Sequence, residues 1–352
     1  MDMKQILELV DQPAFLTKEG TLHWCNAAAR QILHEGIPVC ELMEDHGTLF
    51  SLWDRQGTLQ LPLVLGGEDY DASVCAAEEG ELFVASRRTK RQYEAADVMM
   101  GLSATLRRTL HTMMDAARNL FDELGSRPEA AQMNRALYQL VRLCSQYSDG
   151  GQLLGRCRSA HRRPVDMDAF FDDFAAALKP LLETTGRTFR YVPSKGPVRA
   201  DIDAELMERA LYNLISNALQ YTPDGGEICL QAEKRERSLL VRISDTGEGI
   251  PPQVLATLFA RFDTPEGDGR RGAGLGLPIA REIVRLHGGT MTVTANAQGK
   301  GTTVTFALPL VPAPLELRSR TLRYDYCGDL NHGLVELSDA LPTELYNPEE
   351  VL

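Results

Sequence analysis

An α+β fold divided among several domains is what this sequence predicts, and three observations predict it. The chain has 352 residues, enough for two or three domains. Residues 90–149 carry apolar side chains at spacings of three and four, the mark of paired helices, after a stretch of short strand-like runs and glycine turns. Beyond residue 160, strand-like and helical apolar patterns alternate around glycine-rich segments.

Composition narrows the class. Hydrophobic residues make up 43% of the chain and charged residues 24%, which suits globular domains with filled cores. A net charge of −12 argues against direct nucleic-acid binding, which wants a basic face. Seven scattered cysteines (Cys25, Cys40, Cys75, Cys144, Cys157, Cys229 and Cys327) form no Cys-x-x-Cys pair, which predicts reduced thiols and a cytoplasmic location rather than disulfides or a zinc site. The N-terminus lacks a basic-then-apolar leader pattern, and no apolar run approaches the ~18–20 residues that span a bilayer. No transmembrane segment is therefore expected.

The elements follow in order. Residues 1–90 read as a mixed domain. A short helix near Ile6 leads to Ala14–Thr17, a turn at Lys18-Glu19-Gly20, and the strand Thr21–Cys25. Asn26 is placed to cap a helix over Ala27–Leu33. Strand-like runs follow at Leu59–Leu65, Asp69–Ala76 and Leu82–Ala85. Trp24, Trp53, His23, His34 and His46 are candidates to line a pocket, against the reading that a Trp in a small sheet is core.

Residues 91–158 read as a helical hairpin. One seam runs through Leu102, Leu106, Leu110, Met113, Ala117, Leu120 and Leu124. Gly125-Ser126-Arg127-Pro128 breaks it, and a second seam follows at Met133, Leu137, Leu140, Cys144 and Tyr147. A lone hairpin leaves apolar surface uncovered, so pairing of two hairpins into a four-helix bundle, and hence a homodimer, is expected. The basic stretch 159–165 reads as a join that lets the following domain swing.

Residues 159–311 hold the chemistry. Asn213 and Asn217 lie i, i+4, so both amides face one cavity. Asp245 ends the apolar run Leu239–Ile243 and offers a carboxylate acceptor for the amino protons of a base. Gly247 and Gly249 let a ligand approach the backbone. Gly272, Gly274, Leu275 and Gly276 run into a helical pattern over Leu277–Leu286, and a helix N-terminus behind a glycine loop is an anion site. Gly299-Lys300-Gly301-Thr302 opens a last strand. Residues 312–352 carry no motif. Leu322–Tyr326 is a possible strand, and the acidic, Pro-broken end reads as loose, with a regulatory tail as the sharper alternative.

The ordered set from Asn213 to Thr302 resembles the ATP-binding domain of sensor histidine kinases, a fold shared with gyrase-type topoisomerases, mismatch-repair ATPases and heat-shock chaperones. Leu258-Phe259-Ala260-Arg261-Phe262 is similar to the kinase branch's phenylalanine box. The resemblance implies an α/β-sandwich ATPase domain that binds ATP and Mg²⁺. Asn217 would ligate Mg²⁺ through its amide oxygen, and Asn213 would sit near the phosphates. Asp245 would accept from the adenine amino group, with Gly247 and Gly249 giving the base room. Gly272, Gly274 and Gly276 would form a lid over the phosphates, and Arg270 and Arg271 would approach the γ-phosphate or lie in an exposed loop. Residues 1–90 resemble a PAS sensor domain in strand order and in Asn26-Ala27-Ala28-Ala29. The hairpin matches the family's dimerisation hairpin, with a departure. The family's phosphoacceptor segment here reads Ser103-Ala104-Thr105-Leu106-Arg107-Arg108-Thr109-Leu110. Ala104 stands where the acceptor His belongs, and Thr105 and Thr109 replace an acidic residue and a Pro. Alanine has no nucleophile, so no phosphoryl group can be accepted there. His111, the hairpin's single His, stands one heptad on, ~10 Å along the axis. It is a candidate acceptor, although no acidic residue follows it and a bundle-surface His is the plainer reading. Three functions are implied. The first is a histidine kinase acting on His111 or on a partner, upstream of a response regulator. The second is a non-catalytic pseudokinase whose nucleotide state controls partner binding. The third is a serine kinase of the anti-sigma type.

Overall fold

The computed structural model describes residues 3–43, 50, 55, 58–77, 79–87, 90–125, 127–154, 159–249, 275–295, 301–310 and 330–351. The N-terminal unit opens with helix α1 (Met3–Leu7), followed by β1 (Ala14–Lys18), β2 (Thr21–Cys25), β3 (Thr58–Leu65), β4 (Glu68–Ala77) and β5 (Gly80–Arg87). These strands form an antiparallel sheet in the order β2-β1-β5-β4-β3. Its core gathers Phe15, Phe83, Leu59, Leu63 and Val74, with Phe15 and Phe83 stacked at 4.8 Å. The expected helix over 27–33 is only a 3₁₀ turn, Ala29–Gln31. The reason lies in Asn26, which is wholly buried. Its Oδ1 accepts from the N–H groups of Ala14 and Ala29, and its Nδ2 donates to the carbonyls of Leu7, Val10 and Gln12. One amide thus ties α1, β1 and the turn together. The 3₁₀ turn itself begins after Ala28 with no side-chain cap, so the capping role expected of Asn26 gives way to these ties.

Two helices come next, α2 (Lys90–Leu124) and α3 (Pro128–Leu154). They fold back on each other through Gly125, which takes φ +57° and donates to the Phe121 carbonyl at 2.9 Å. Leu110, Ala117, Phe121, Ala130, Leu137 and Cys144 fill the space between them. Four other residues of the first seam point outward: Leu102, Leu106, Met113 and Leu120 are each about half exposed, at 54, 48, 48 and 49%.

A C-terminal sandwich follows. Its elements are β6 (Arg163–Asp166), α4 (Met167–Glu183), β7 (Thr188–Val192), β8 (Arg199–Ile202), α5 (Ala204–Tyr221), β9 (Glu227–Lys234), β10 (Ser238–Asp245), α6 (Gly276–Leu286), β11 (Thr290–Ala295) and β12 (Thr302–Pro309). The main sheet runs β11-β12-β10-β9-β7, antiparallel except for β7 beside β9. Helices α4, α5 and α6 cover one face. Ile228, Leu230, Val241, Ile243, Val304 and Phe306 meet residues such as Phe171, Leu211, Ile215 and Ile283 there. Asp166 and Asp203 cap α4 and α5, their carboxylates accepting from the first-turn N–H groups. The stretch 159–165 is not a plain swinging join, because Arg163–Asp166 pairs with β8 and the His161 N–H donates to Asp203 at 2.9 Å.

The two sheets are continuous. Leu59 and Gln60 of β3 pair with Thr292 and Met291 of β11, which gives one ten-stranded sheet. Leu240 and Ala307 join the N-terminal core for this reason. They lie on the face of the sandwich sheet away from its helices, where a half-solvated sheet would be polar.

The tail also packs. It contains α7 (His332–Glu336), a 3₁₀ turn Thr343–Tyr346 and α8 (Pro348–Val351). Leu334, Val335, Leu337, Leu341 and Tyr346 belong to the main core. The expectation of a loose end past Glu344 is therefore corrected: Tyr346 is completely buried. The possible strand Leu322–Tyr326 lies outside the described residues, as do His46 and Trp53.

Candidate nucleotide site

Helix α5 is the spine of the site. Its apolar side, including Leu211, Leu214 and Ile215, is sealed into the core. That orientation places Asn213 against the start of α6, with Asn217 one turn further along the helix. Asn213 is buried at 4% exposure and Asn217 is half-buried. Gly276 opens α6 directly against Asn213. A methyl group at Gly276 would lie 3.3 Å from Asn213 Oδ1, so the glycine permits this approach. Leu275, just before it, is buried at 5% exposure. Among the described residues no side chain caps the first turn of α6, and that turn begins beside Asn213.

Asp245 lies near the C-terminal end of α5, where Gly247 packs against Tyr221. It is the last residue of β10, a strand fixed on both edges by β9 and β12. Its Oδ1 accepts from the Gly247 N–H at 2.9 Å and from the Thr302 N–H at 3.2 Å. These donors come from the turn after β10 and from the start of β12, so two sequence-predicted residues converge on the carboxylate of a third. Burial pushes the Asp245 carboxyl above its ordinary value, while the two backbone donors pull the other way and only partly offset it. Gly247 packs under the C-terminus of α5: a Cβ there would lie 2.3 Å from the Tyr221 carbonyl oxygen. Gly249 adopts φ +77°, a left-handed conformation that favours glycine. Asn213 and Gly276 thus meet at one end of a strip along α5, and Asp245, Gly247 and Thr302 meet at the other. Asn217 lies between them in sequence and on the helix.

Gly272, Gly274, Phe259, Phe262, Arg270, Arg271, Gly299 and Lys300 lie outside the described residues. His111 and Ala104 are both exposed on α2. Thr105, Thr109 and Thr112 turn their hydroxyls onto the carbonyls four residues earlier.

Sequence reasoning missed the neighbours of Asn213. Helix α3 runs antiparallel to α5 and pairs with it three times. Arg142 donates to Ser216 Oγ at 2.8 Å, Gln146 Nε2 donates to Asn213 Oδ1 at 3.4 Å, and Asp149 forms an ion pair with Arg209. All six side chains are buried. The signal was a polar stripe at i, i+4, i+7 on a hairpin helix, which reads as a solvated face until its partner helix is known.

Residues 202–312 match the family described as histidine kinase-, DNA gyrase B- and HSP90-like ATPases. Among curated proteins, the chain is 38% identical over 146 residues to hybrid signal transduction histidine kinase D of Dictyostelium discoideum, covering 39% of this chain and 9% of that protein. It is 36% identical over 135 residues to histidine protein kinase DivJ of Caulobacter vibrioides, covering 38% and 22%. It is 30% identical over 254 residues to sensor histidine kinase TmoS of Ectopseudomonas mendocina, covering 71% and 21%. The chain is thus similar to sensor histidine kinases, and residues 202–312 carry their type of ATPase domain. It spans between 9 and 22% of the length of these three relatives. The crystal structure of full-length ShkA in complex with AMPPNP shares its fold, with a TM-score of 0.50 and 24% identity over 62% of this chain and 46% of that one. Residues 202–312 of the sandwich accordingly have the fold of histidine kinase-, DNA gyrase B- and HSP90-like ATPases, and the strip along α5 lies within them.

Proposed function

We propose that the chain is a signalling ATPase-domain protein of the two-component class. On this reading it binds ATP with Mg²⁺ along α5 and acts as a homodimer toward a response regulator or another signalling partner. The observation that carries this is Asp245, a buried carboxylate aimed by Gly247 and Thr302 at the end of the helix that carries Asn213 and Asn217. Such an acceptor suits the amino group of adenine, and a half-buried Asn217 amide oxygen suits Mg²⁺, a hard cation that prefers oxygen. Among the described residues no cluster of three His, Cys, Asp or Glu is placed to hold a metal, so the ion would depend on Asn217, water and the nucleotide phosphates. ATP and Mg²⁺ supply the transferable phosphoryl group and its charge neutralisation. The protein supplies orientation: Asp245 and Gly247 fix the base, and Asn213, Gly276 and the start of α6 face the phosphates.

The strand order β2-β1-β5-β4-β3 supports reading residues 1–90 as a PAS-like sensor. The outward stripe Leu102, Leu106, Met113 and Leu120 supports pairing of two hairpins into a four-helix bundle. Among the described residues no helix is long and apolar enough to cross a membrane, which is compatible with a cytoplasmic setting.

Whether phosphoryl transfer completes the function turns on α2. A histidine kinase reading needs His111, or a histidine on a partner, as acceptor. Ala104 favours the second reading, a pseudokinase whose bound nucleotide sets its grip on a partner. Incubation of the full chain with γ-labelled ATP decides between them. Acid-labile label lost in His111→Ala establishes the kinase with a displaced acceptor. Acid-stable label points to a serine-type kinase. ATP binding without any label establishes the pseudokinase.

A further inference from the structure

The tail is the part of the chain that the nucleotide site does not use, yet it is built into the structure from two sides. Toward α3, Asn134 Nδ2 donates to the Tyr346 carbonyl at 2.9 Å. Arg135 donates to the Ser338 carbonyl and to Thr343 Oγ1, both at 3.0 Å. Tyr138 meets the Tyr346 ring edge-on at 5.2 Å. Arg142 donates to Asp339 at 2.5 Å and lies 3.9 Å from Glu336. Toward the ATPase domain, His332 lies 3.5 Å from Glu208 of α5. Gly333 comes so close that an added Cβ would stand 2.4 Å from Leu181 and 3.4 Å from the Tyr212 hydroxyl. The tail is wedged between hairpin and ATPase domain and fastened to both.

Arg142 connects this wedge to the site. The same guanidinium that binds Asp339 also donates to Ser216, the first rung of the three-rung contact between α3 and α5. The second rung is Gln146 on Asn213. With the tail in place, α3 lies along α5, and the Asn213 amide oxygen is engaged by the hairpin and covered at 4% exposure. The rungs are polar and ionic rather than apolar. Such a contact can open into water at modest cost, because each group it releases is re-solvated. The tail adds the apolar part, with Leu334, Val335 and Tyr346 buried.

We propose that residues 330–351 are an intramolecular clamp. The clamp locks the ATPase domain on α3 with Asn213 covered, and it opens before Asn213 can face a nucleotide phosphate. This rests on the reading of α5 as the nucleotide site. A site that is competent only in the open fraction of molecules shows an apparent affinity reduced by that fraction, so loosening the clamp tightens binding without touching the site.

The test uses the full chain and two substitutions outside the nucleotide residues. Tyr346→Ala removes the buried ring that anchors the tail. Arg135→Glu is milder, because the contacts of Arg135 described above all go to the tail at a half-buried position. Hydrogen exchange over 330–351 reports clamp release, exchange over 227–245 reports the integrity of the ATPase sheet, and calorimetric titration with Mg·AMPPNP reports the site. The expected result is faster exchange in the tail, an unchanged sheet, and Mg·AMPPNP bound about 10-fold more tightly than by wild type in both variants. A released tail with wild-type or weaker affinity overturns the clamp, as does a tail whose exchange neither variant changes. If no form of the protein binds Mg·AMPPNP, the nucleotide reading itself fails and takes the clamp with it. Equal binding in all forms sinks the clamp alone.

Discussion

Gly247→Ala puts the construction of the site to a quantitative test. The added methyl would stand 2.3 Å from the Tyr221 carbonyl oxygen, 2.8 Å from its carbon and 3.0 Å from Asp245 Oδ1. Two of these three atoms are backbone at the end of α5, so no flexible side chain can yield. Either the turn moves out or the end of α5 moves back. Overpacking of this kind costs ~1–3 kcal/mol. Moving the turn out instead stretches the 2.9 Å bond from the Gly247 N–H to Asp245, and a bond to a charged acceptor is worth ~1.5–3 kcal/mol. The chain takes whichever route is cheaper, so the two are not added. At ~2–4 °C per kcal/mol for a domain of this size, the melting temperature should fall by ~2–12 °C. Nucleotide affinity should fall with it, because both routes displace Asp245 or the helix end beyond Asn217. Gly225→Ala is the control. It carries φ +80° with nothing within 4 Å of the added methyl, so it strains the backbone by ~1–2 kcal/mol and leaves the site alone. Differential scanning calorimetry and titration with Mg·ADP read both effects. A Gly247→Ala protein with wild-type melting temperature and wild-type affinity would refute the packing argument.

Further predictions concern other parts of the fold. His287 donates from Nδ1 to the Ile283 carbonyl and accepts the Asp203 N–H on Nε2, so it is held neutral, and burial pushes its pKa below the ordinary 6.5. The unfolded chain then binds the extra proton first. The contribution of His287 is therefore complete above ~6.5 and is lost as pH falls below it, and the urea midpoint should drop between pH 7.5 and 5.5 by less in His287→Leu than in wild type. If two hairpins pair as proposed, wild type should run as a dimer in light scattering, and Leu106→Glu, which places a charge on the outward stripe of α2, should run as a monomer; an unchanged mass would count against the bundle. Ala104→His with Thr105→Glu restores an acceptor and its acidic neighbour at exposed positions of α2, and acid-labile label should then appear there if the ATPase domain can still reach the hairpin.

Much of the site could be read from the chain because its signals are local. An apolar run ending in Asp245 and followed by glycines fixes both the strand and the acceptor at its tip. The i, i+4 spacing of Asn213 and Asn217 needs only a helix. Other features depend on contacts that no local pattern encodes. The apolar run Leu239–Ile243 does not say what covers its second face: Leu240 is buried at 5% exposure because the N-terminal unit extends the sheet and packs there. Ala27–Leu33 has helical composition, but the five hydrogen bonds of Asn26 hold the segment to a single 3₁₀ turn. Arg142, Gln146 and Asp149 read as solvent-facing residues of an amphipathic helix until α5 is laid beside them. Tyr346, amid acidic residues and prolines, gave no hint of the pocket that α3 and α7 build around it.

The central claim is that α5 and the tip of β10 form an adenine-nucleotide site. Isothermal titration of the folded full chain with Mg·ADP, carried to millimolar nucleotide and repeated with EDTA and with Asp245→Ala, tests it most directly. The account predicts saturable, Mg²⁺-dependent binding of one nucleotide per chain. Asp245→Ala should weaken it by ~5- to 150-fold, the equivalent of ~1–3 kcal/mol for a lost buried acceptor. A folded wild-type chain that binds neither Mg·ADP nor Mg·AMPPNP, or an Asp245→Ala variant that binds as wild type does, would contradict it.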